Sequence, residues 1–503
     1  MHGWLDPRRL TRTALLYLVA LASPALGSIE SQLQHLLGTA DLRGTQVSVY
    51  VTEVDSGRML VDIEGDRAMI PASNMKLLTT AAALDTLGAD FLFKTRLGMI
   101  DAADTADGSE KPALIIIGDG DPAFGDPVTL EAAGYDPDQI VRWWVDTVVE
   151  TGITKFGQII IDDRVFEHGP QQRIHPTWPR NQLHKHYCAQ VMGINFFNNV
   201  FQVTASPTKI GQDVELGIYP YGPFVRTELG VVTGRVDQWD IITRPDDNRI
   251  GFRGQVRNRQ RQLVTMHDPA MVFGQMLKHE LSKRGVTVDQ VTRPEGNKQM
   301  PEVTTLHQIN TTLQAVLVRT NRDSMNLYAE ALLKRTGYAI TGTPGTFENG
   351  ASAVRRSLTR VLDNPTLVST IRIADGSGLS RNNRVTARAV ATLLTEMHHH
   401  AAAQAFRVSL ARPGETGSLR SRFEDQDLAG ELYAKSGYIN TVSALSGYLV
   451  YPDRGDGGKT LAFSILCNGF GTGDANQLDN SDMKSLQEQI ITMLDTSMTQ
   501  PTE

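Results

Sequence analysis

The sequence predicts a mixed α/β (α+β) protein in which a helix-and-strand core is interrupted by a β-rich insertion. Three observations carry this. The chain has 503 residues, too many for one ordinary core, since domains of about 100 to 200 residues are usual. Helical and strand patterns at the start stop near residue 94 and resume after 300. Between them lie short apolar runs set off by turn residues.

In chain order, "MHGWLDPRRLTRTALLYLVALASPALGSIE" sets Arg8, Arg9 and Arg12 before an apolar stretch, with Ala25 and Gly27 following. This is the pattern of a secretory signal peptide over residues 1–27, and the apolar run is short of the ~20 residues a span needs. Residues 28–94 read as a helix, then strands in "TQVSVYVTEVDSGRMLVDIEG", then a helix from Ser73. Val47, Val49 and Val51 alternate with polar residues and "DSG" supplies the turn, which predicts a strand pair. Segments such as "PALIIIGDGDP", "FGQIIIDDRVF", "VFQVTAS" and "VELGIYPYG" read as strands of one or two small β-rich domains over 95–299. From 300 to 500 the core resumes. "TTLQAVLVRTNRDSMNLYAEALLKRTG" is helical with Gly337 as its stop, and "TARAVATLLTEMHHH" is a second helix. "GELYAKSGYINTVSALSGYLVY" and "GKTLAFSILCNG" are strands, and "SDMKSLQEQIITMLD" is a closing amphipathic helix.

Composition narrows the function. Hydrophobic residues make up 41% and charged residues 21%, the balance of a soluble globular protein. A formal charge of -7 argues against nucleic acid as a partner. Cys188 and Cys467 are the only cysteines, so the fold is held by its core and not by a disulfide framework. A bridge between the two and a pair of free thiols are both open. The polar end "LDTSMTQPTE" gives no reason to expect a membrane anchor.

Three short motifs carry chemistry. In "PASNMKLLTT", Ser73 and Lys76 lie one turn apart at a helix start, where backbone N–H groups favour an anionic serine oxygen. Taken alone, Ser73 is also an ordinary helix-capping residue. Lys76 can act as a base only if burial or a second cation lowers its pKa. In "TNRDSMNLYAE", Ser324 and Asn326 break a helical pattern and would face a cleft from an interhelical loop. In "ELYAKSGYIN", Lys435, Ser436 and Gly437 lie on a strand, where glycine permits close approach of another backbone. Lys435 would be the second cation that Lys76 needs.

Ser-x-x-Lys, Ser-x-Asn and Lys-Ser-Gly, in that order, resemble the triplet of penicillin-binding proteins and serine β-lactamases. With about 250 residues between the first two motifs, and with "DGSGLSRNNRVT", "TGSLRSRF" and "SALSGYLV", the chain resembles the D-alanyl-D-alanine carboxypeptidase/endopeptidase family, peptidase family S13, class C low-molecular-mass type. The resemblance implies a penicillin-binding-protein/β-lactamase-like core and an acyl-enzyme mechanism without metal or cofactor. Ser73 would be the nucleophile, Lys76 its base and Ser324 a proton relay. Asn326 would bind the substrate backbone and orient Lys76, Lys435 and Ser436 would hold the substrate carboxylate, and the N–H groups of Ser73 and Tyr438 would form the oxyanion hole. Tyr438 departs from the small or hydroxyl residue expected after the Lys-Ser-Gly box. The implied partners are peptidoglycan stem peptides or crosslinks, with β-lactams as inhibitors, in the periplasm. The alternatives are a serine β-lactamase and a non-catalytic peptidoglycan-binding or assembly protein.

Asp162 in "IIIDDRVF" and Arg381 in "GLSRNN" are candidates for the zwitterionic end of a diaminopimelate side chain. Other matches read as structure. "GDGDPAFGDP" is a turn, because its carboxylates disfavour a pyrophosphate, and "LHKHYC" lacks a fourth zinc ligand nearby. "MHHH" suits a helix C-terminus.

Overall fold

The computed structural model describes residues 28–104, 110–243, 247–294, 296, 300–452, 458–471 and 478–499. The leader read over residues 1–27 lies outside the described residues.

Both ends of the chain build one antiparallel sheet. Its strands run Glu431–Ile439, Val442–Tyr451, Lys459–Asn468, Gln46–Glu53 and Met59–Ile63 in spatial order. Val47, Val49 and Val51 face the helices Ile29–Thr39 and Asn480–Thr499, meeting Leu33, Ile490 and Leu494. Alternation suggests one wet face, yet Ser48, Tyr50 and Thr52 are buried as well. The second face is covered by the helix Ala387–His399, on which Met75–Leu87 and Phe347–Leu362 pack with Asn326–Thr341 beyond them, and the core there includes Tyr50, Ala444, Tyr448 and Leu466. Ser48 stays satisfied there by donating to the Glu64 carbonyl at 2.8 Å.

Gly337 is not the stop the sequence suggested. The helix continues to Thr341 and ends at Gly342, whose φ of 68° is the left-handed cap that glycine adopts without penalty. Gly337 instead lets two helices approach, since a Cβ there would come within 2.8 Å of the Gly350 nitrogen.

A second five-stranded sheet follows the order Thr287–Thr292, Lys155–Asp162, Ala113–Ile117, Leu92–Ile100, Thr304–Thr312. Its last two strands connect directly to the core: one follows the helix Met75–Leu87, and the other precedes the helix Leu313–Asn321, which Thr312 caps. The region read as β-rich also contains two full helices, Gln139–Glu150 and Pro269–Lys283, which cover this sheet with Trp144, Val148, Phe273 and Leu277. Two three-stranded sheets complete it: Gln260–Thr265, Val200–Ser206 and Glu215–Tyr219 in one, Arg226–Thr233, Arg249–Val256 and Gln238–Thr243 in the other. They close on Phe201, Val203, Val231 and Phe252.

Both cysteines are free and buried, which pushes each thiol up to about 12. Among the described residues no helix is long and apolar enough to cross a membrane.

Candidate active site

Ser73 lies in a 3₁₀ turn, Ala72–Asn74, that runs into the helix Met75–Leu87. Ala72 has φ 46° and no exposure, a left-handed backbone that costs an alanine about 1 to 3 kcal/mol and persists only where its surroundings enforce it. Gly378 and Gly437 enforce it. A Cβ on Gly378 would collide with the Ala72 carbonyl, and one on Gly437 would lie 2.9 Å from the Ser73 nitrogen. The glycine of Lys-Ser-Gly is thus a close-approach residue that brings the edge strand Glu431–Ile439 against the Ser73 turn.

Lys76 is fully buried. Its Nζ meets Ser73 Oγ at 3.0 Å, Asn326 Oδ1 at 2.7 Å and the Ser377 carbonyl at 2.9 Å. The Asn326 amide is oriented by its other end, where Nδ2 donates to the Tyr187 carbonyl at 3.0 Å. An ammonium would use three N–H groups on these three acceptors. A neutral amine has two N–H groups, and because Asn326 Oδ1 and Ser377 O only accept, its lone pair falls to the hydroxyl of Ser73.

Ser324 sits between the helices Leu313–Asn321 and Asn326–Thr341 with φ 60°. Its Oγ accepts from Lys435 Nζ at 2.9 Å, and Lys435 also donates to the Ser436 carbonyl at 2.8 Å. Ser436 and Gly437 follow on the same strand, and Tyr438 is exposed. Three distant stretches of chain thus meet around Ser73.

The electrostatics differ from the sequence reading in one respect. Lys76 is held down to about 7 chiefly by burial, while Glu330 and Asp375 pull it upward. The mutual field of the two lysines falls instead on Lys435, lowered well below its ordinary value by burial and then by Lys76. Lys435 is therefore not what lowers Lys76. Removing an ammonium from water is the larger effect here and outweighs the pull of the two carboxylates.

Asp162 and Arg381 each have polar partners of their own. Asp162 is engaged by Arg164 through two bonds of 2.8 Å. Arg381 donates to the Asn440 carbonyl at 2.6 Å and to Thr441 at 3.2 Å, just past the Lys-Ser-Gly strand.

Sequence reasoning missed the supporting groups. Asp375 of "DGSG" accepts from the backbone of Gly378 and Ser380, from Asn383 and from Trp178, and so fixes the loop that carries the Ser377 carbonyl. "GDGDPAFGDP" is a turn, but a buried and charged one: Asp119 pairs with Arg335 at 3.0 Å and Asp126 with Arg319 at 2.8 Å. Arg319 also reaches Asp323, next to Ser324, at 2.6 Å. In "LHKHYC" the segment's contribution is the Tyr187 carbonyl already described. Among the described residues no three His, Cys, Asp or Glu side chains gather as a metal site. His398 and His399 occupy the last turn of the helix Ala387–His399.

The D-Ala-D-Ala carboxypeptidase 3 (S13) family matches residues 29–495. The chain belongs to this family. It is 31% identical to a D-alanyl-D-alanine carboxypeptidase of Actinomadura sp. (strain R39), over 89% of this chain and 84% of that protein. It is 22% identical to D-alanyl-D-alanine carboxypeptidase DacB of Haemophilus influenzae, over 86% and 87% of the two chains. The crystal structure of penicillin binding protein 4 (dacB) from Haemophilus influenzae superposes with a TM-score of 0.73, at 21% identity, covering 93% of this chain and 99% of that one. The S13 chain described here is thus a hydrolase of the peptidase class with the penicillin-binding fold.

Proposed function

We propose that this S13 enzyme is a serine-type D-Ala-D-Ala carboxypeptidase and/or DD-endopeptidase that works through an acyl-enzyme on Ser73. The observation that carries the reading is the fully buried Lys76 amine, 3.0 Å from Ser73 Oγ, with its other two acceptors unable to donate. Ser73 Oγ attacks the carbonyl of the penultimate D-alanine and its proton passes to the Lys76 lone pair. The C–N bond breaks as the proton reaches the leaving amine through Ser324, and water then hydrolyses the ester. Backbone N–H groups of Ser73 and Tyr438 hold the oxyanion, a donor of this kind being worth about 3 to 4 kcal/mol. Lys435 and Ser436 take the terminal carboxylate, whose arrival favours the ammonium form of Lys435. A crosslink offers the same acyl group with a diaminopimelate amine as leaving group.

The proposal extends to the surroundings of the reaction. The catalytic domain read over 28–94 and 300–500 and the insertion read over 95–299 meet at the paired strands Leu92–Ile100 and Thr304–Thr312, which belong to the sheet of the insertion, and the leader over 1–27 directs the protein to the periplasm. β-lactams acylate Ser73, a reading supported by the Haemophilus influenzae structure complexed with a novel beta-lactam, TM-score 0.69 at 20% identity. Incubation with benzylpenicillin followed by peptide mass mapping is expected to find a persistent adduct on the Ser73 peptide. Rapid release of penicilloate would favour a β-lactamase, and no adduct at all a non-catalytic wall-binding protein. For Asp162 and Arg381, recognition of the diaminopimelate end requires the incoming ammonium to displace Arg164 from Asp162. Asp162→Ala is expected to raise KM severalfold for diaminopimelate-containing peptides and to leave lysine-containing ones unchanged; equal effects on both refute that role.

A further inference from the structure

The Ser377 carbonyl directs the Lys76 lone pair, so what holds that carbonyl matters as much as what holds Asn326. The answer lies on the far side of the peptide. Glu330, fully buried on the helix Asn326–Thr341, accepts the Gly376 N–H on one carboxyl oxygen and the Ser377 N–H on the other, both at 2.8 Å. The loop packs closely on that helix, since a Cβ on Gly376 would lie 2.7 Å from the Ala329 carbonyl. One turn along the helix, Lys334 is also fully buried, with its ammonium over the rings of Phe347 and Phe166 at 4.4 and 5.8 Å and a bond to the Gln172 carbonyl.

We propose that Glu330 is a positioning residue for the general base: by clamping the Gly376 and Ser377 N–H groups it aims the Ser377 carbonyl at Lys76 and leaves the lysine lone pair to Ser73. This rests on the acyl-enzyme reading of Ser73 and Lys76. It also gives the buried Glu330–Lys334 pair a role in the site. Facing the Glu330 carboxyl are Lys76 from the helix Met75–Leu87, Lys334 from its own helix, and Asp375 from the loop before Gly376. Burial and then Asp375 push the Glu330 carboxyl upward, its two N–H bonds oppose them, and Lys334 is lowered to about 7 by burial.

The test is Glu330→Gln, which keeps the shape but turns an NH₂ toward one of the two N–H donors and removes the negative field. Acylation by benzylpenicillin is expected to slow at least tenfold while the protein still melts cooperatively. The acid limb of the acylation profile is expected to move to lower pH, since the lost carboxylate had favoured the Lys76 ammonium. A rate within twofold of the parent's, or a slower rate with the limb unmoved, overturns the inference. Should Glu330→Gln fail to fold, Glu330→Asp decides: it keeps the charge on a shorter arm, so a loss of at least fivefold supports the clamp and a parental rate refutes it. A parent protein that is never labelled at Ser73 would instead sink the acyl-enzyme reading, so the two failures remain distinct.

Discussion

Ser73→Ala is expected to abolish covalent labelling by penicillin and release of D-alanine, while Lys76→Met slows acylation by about 10² to 10⁴-fold, the usual contribution of a positioned base. The double variant is expected to be no worse than Ser73→Ala alone, because groups that act as a unit lose their function together. The pH dependence follows from the burial of Lys76, which holds its amine near 7. The base is the neutral form, so acylation of the parent rises with pH through about 7. The Lys76→Met profile loses that limb. Stopped-flow acylation of the parent and the three variants across pH would check each point. Residual labelling of Ser73→Ala, or a parental rate in Lys76→Met, would remove the mechanism.

The reactive cluster is built at a cost to the rest of the molecule. Ala72 and Ser324 are held in left-handed backbone, and three lysines, Lys76, Lys334 and Lys435, are buried without exposure. Such features cluster where strain and desolvation serve chemistry. What compensates them is tight local packing: Gly378 and Gly437 against the Ser73 turn, and Asn74 bonded to Ser446 at 2.6 Å, which in turn meets Ser464 at 2.9 Å on the neighbouring strand.

Much of this was legible because it is local. The valines of Gln46–Glu53, the Ser73 helix and the Lys-Ser-Gly strand follow from periodicity and position, and motif order brought the three boxes together. What sequence concealed is non-local. Glu330 meets residues 46 and 47 positions away, and Asp126 meets Arg319 across 193. No periodicity reports such pairs. "EALLK" did carry a signal, since Glu330 and Lys334 lie one turn apart in an otherwise apolar stretch of a helix buried on every side, where unpaired charges do not belong. The helix Gln139–Glu150 was equally visible in the spacing of Ile140, Val141, Trp144, Val145 and Val148, but the surrounding strands drew the reading toward β structure. The weight of the second cation is hidden for a different reason: the sequence shows which charges exist, not how much water reaches them.

Arg319 ties these levels together, and its loss is expected to be the most damaging to stability. Its guanidinium holds Asp126 at 2.8 and 3.2 Å and Asp323 at 2.6 Å, joining the turn after Ala113–Ile117 to the residue that precedes Ser324. Arg319→Ala strands the fully buried Asp126, and breaking a buried pair in this way costs about 3 to 5 kcal/mol. Arg319→Lys should recover part of that, since a single ammonium cannot bridge two carboxylates as a fork does. The pH dependence has a definite sign. Burial alone would raise the Asp126 carboxyl, but Arg319 with Thr129 and Asn198 outweighs it and keeps the folded value low. The contribution is therefore present above the unfolded pKa of about 4 and is lost as pH falls through the lower folded value. The gap between parent and Arg319→Ala should be widest near neutrality and narrow on acidification. Because Asp323 adjoins Ser324, acylation should slow as well, even at temperatures where the variant remains folded. Urea unfolding at several pH values, with penicillin acylation alongside, tests all of this, and a stability loss below about 1 kcal/mol would reduce the link to an ordinary surface pair.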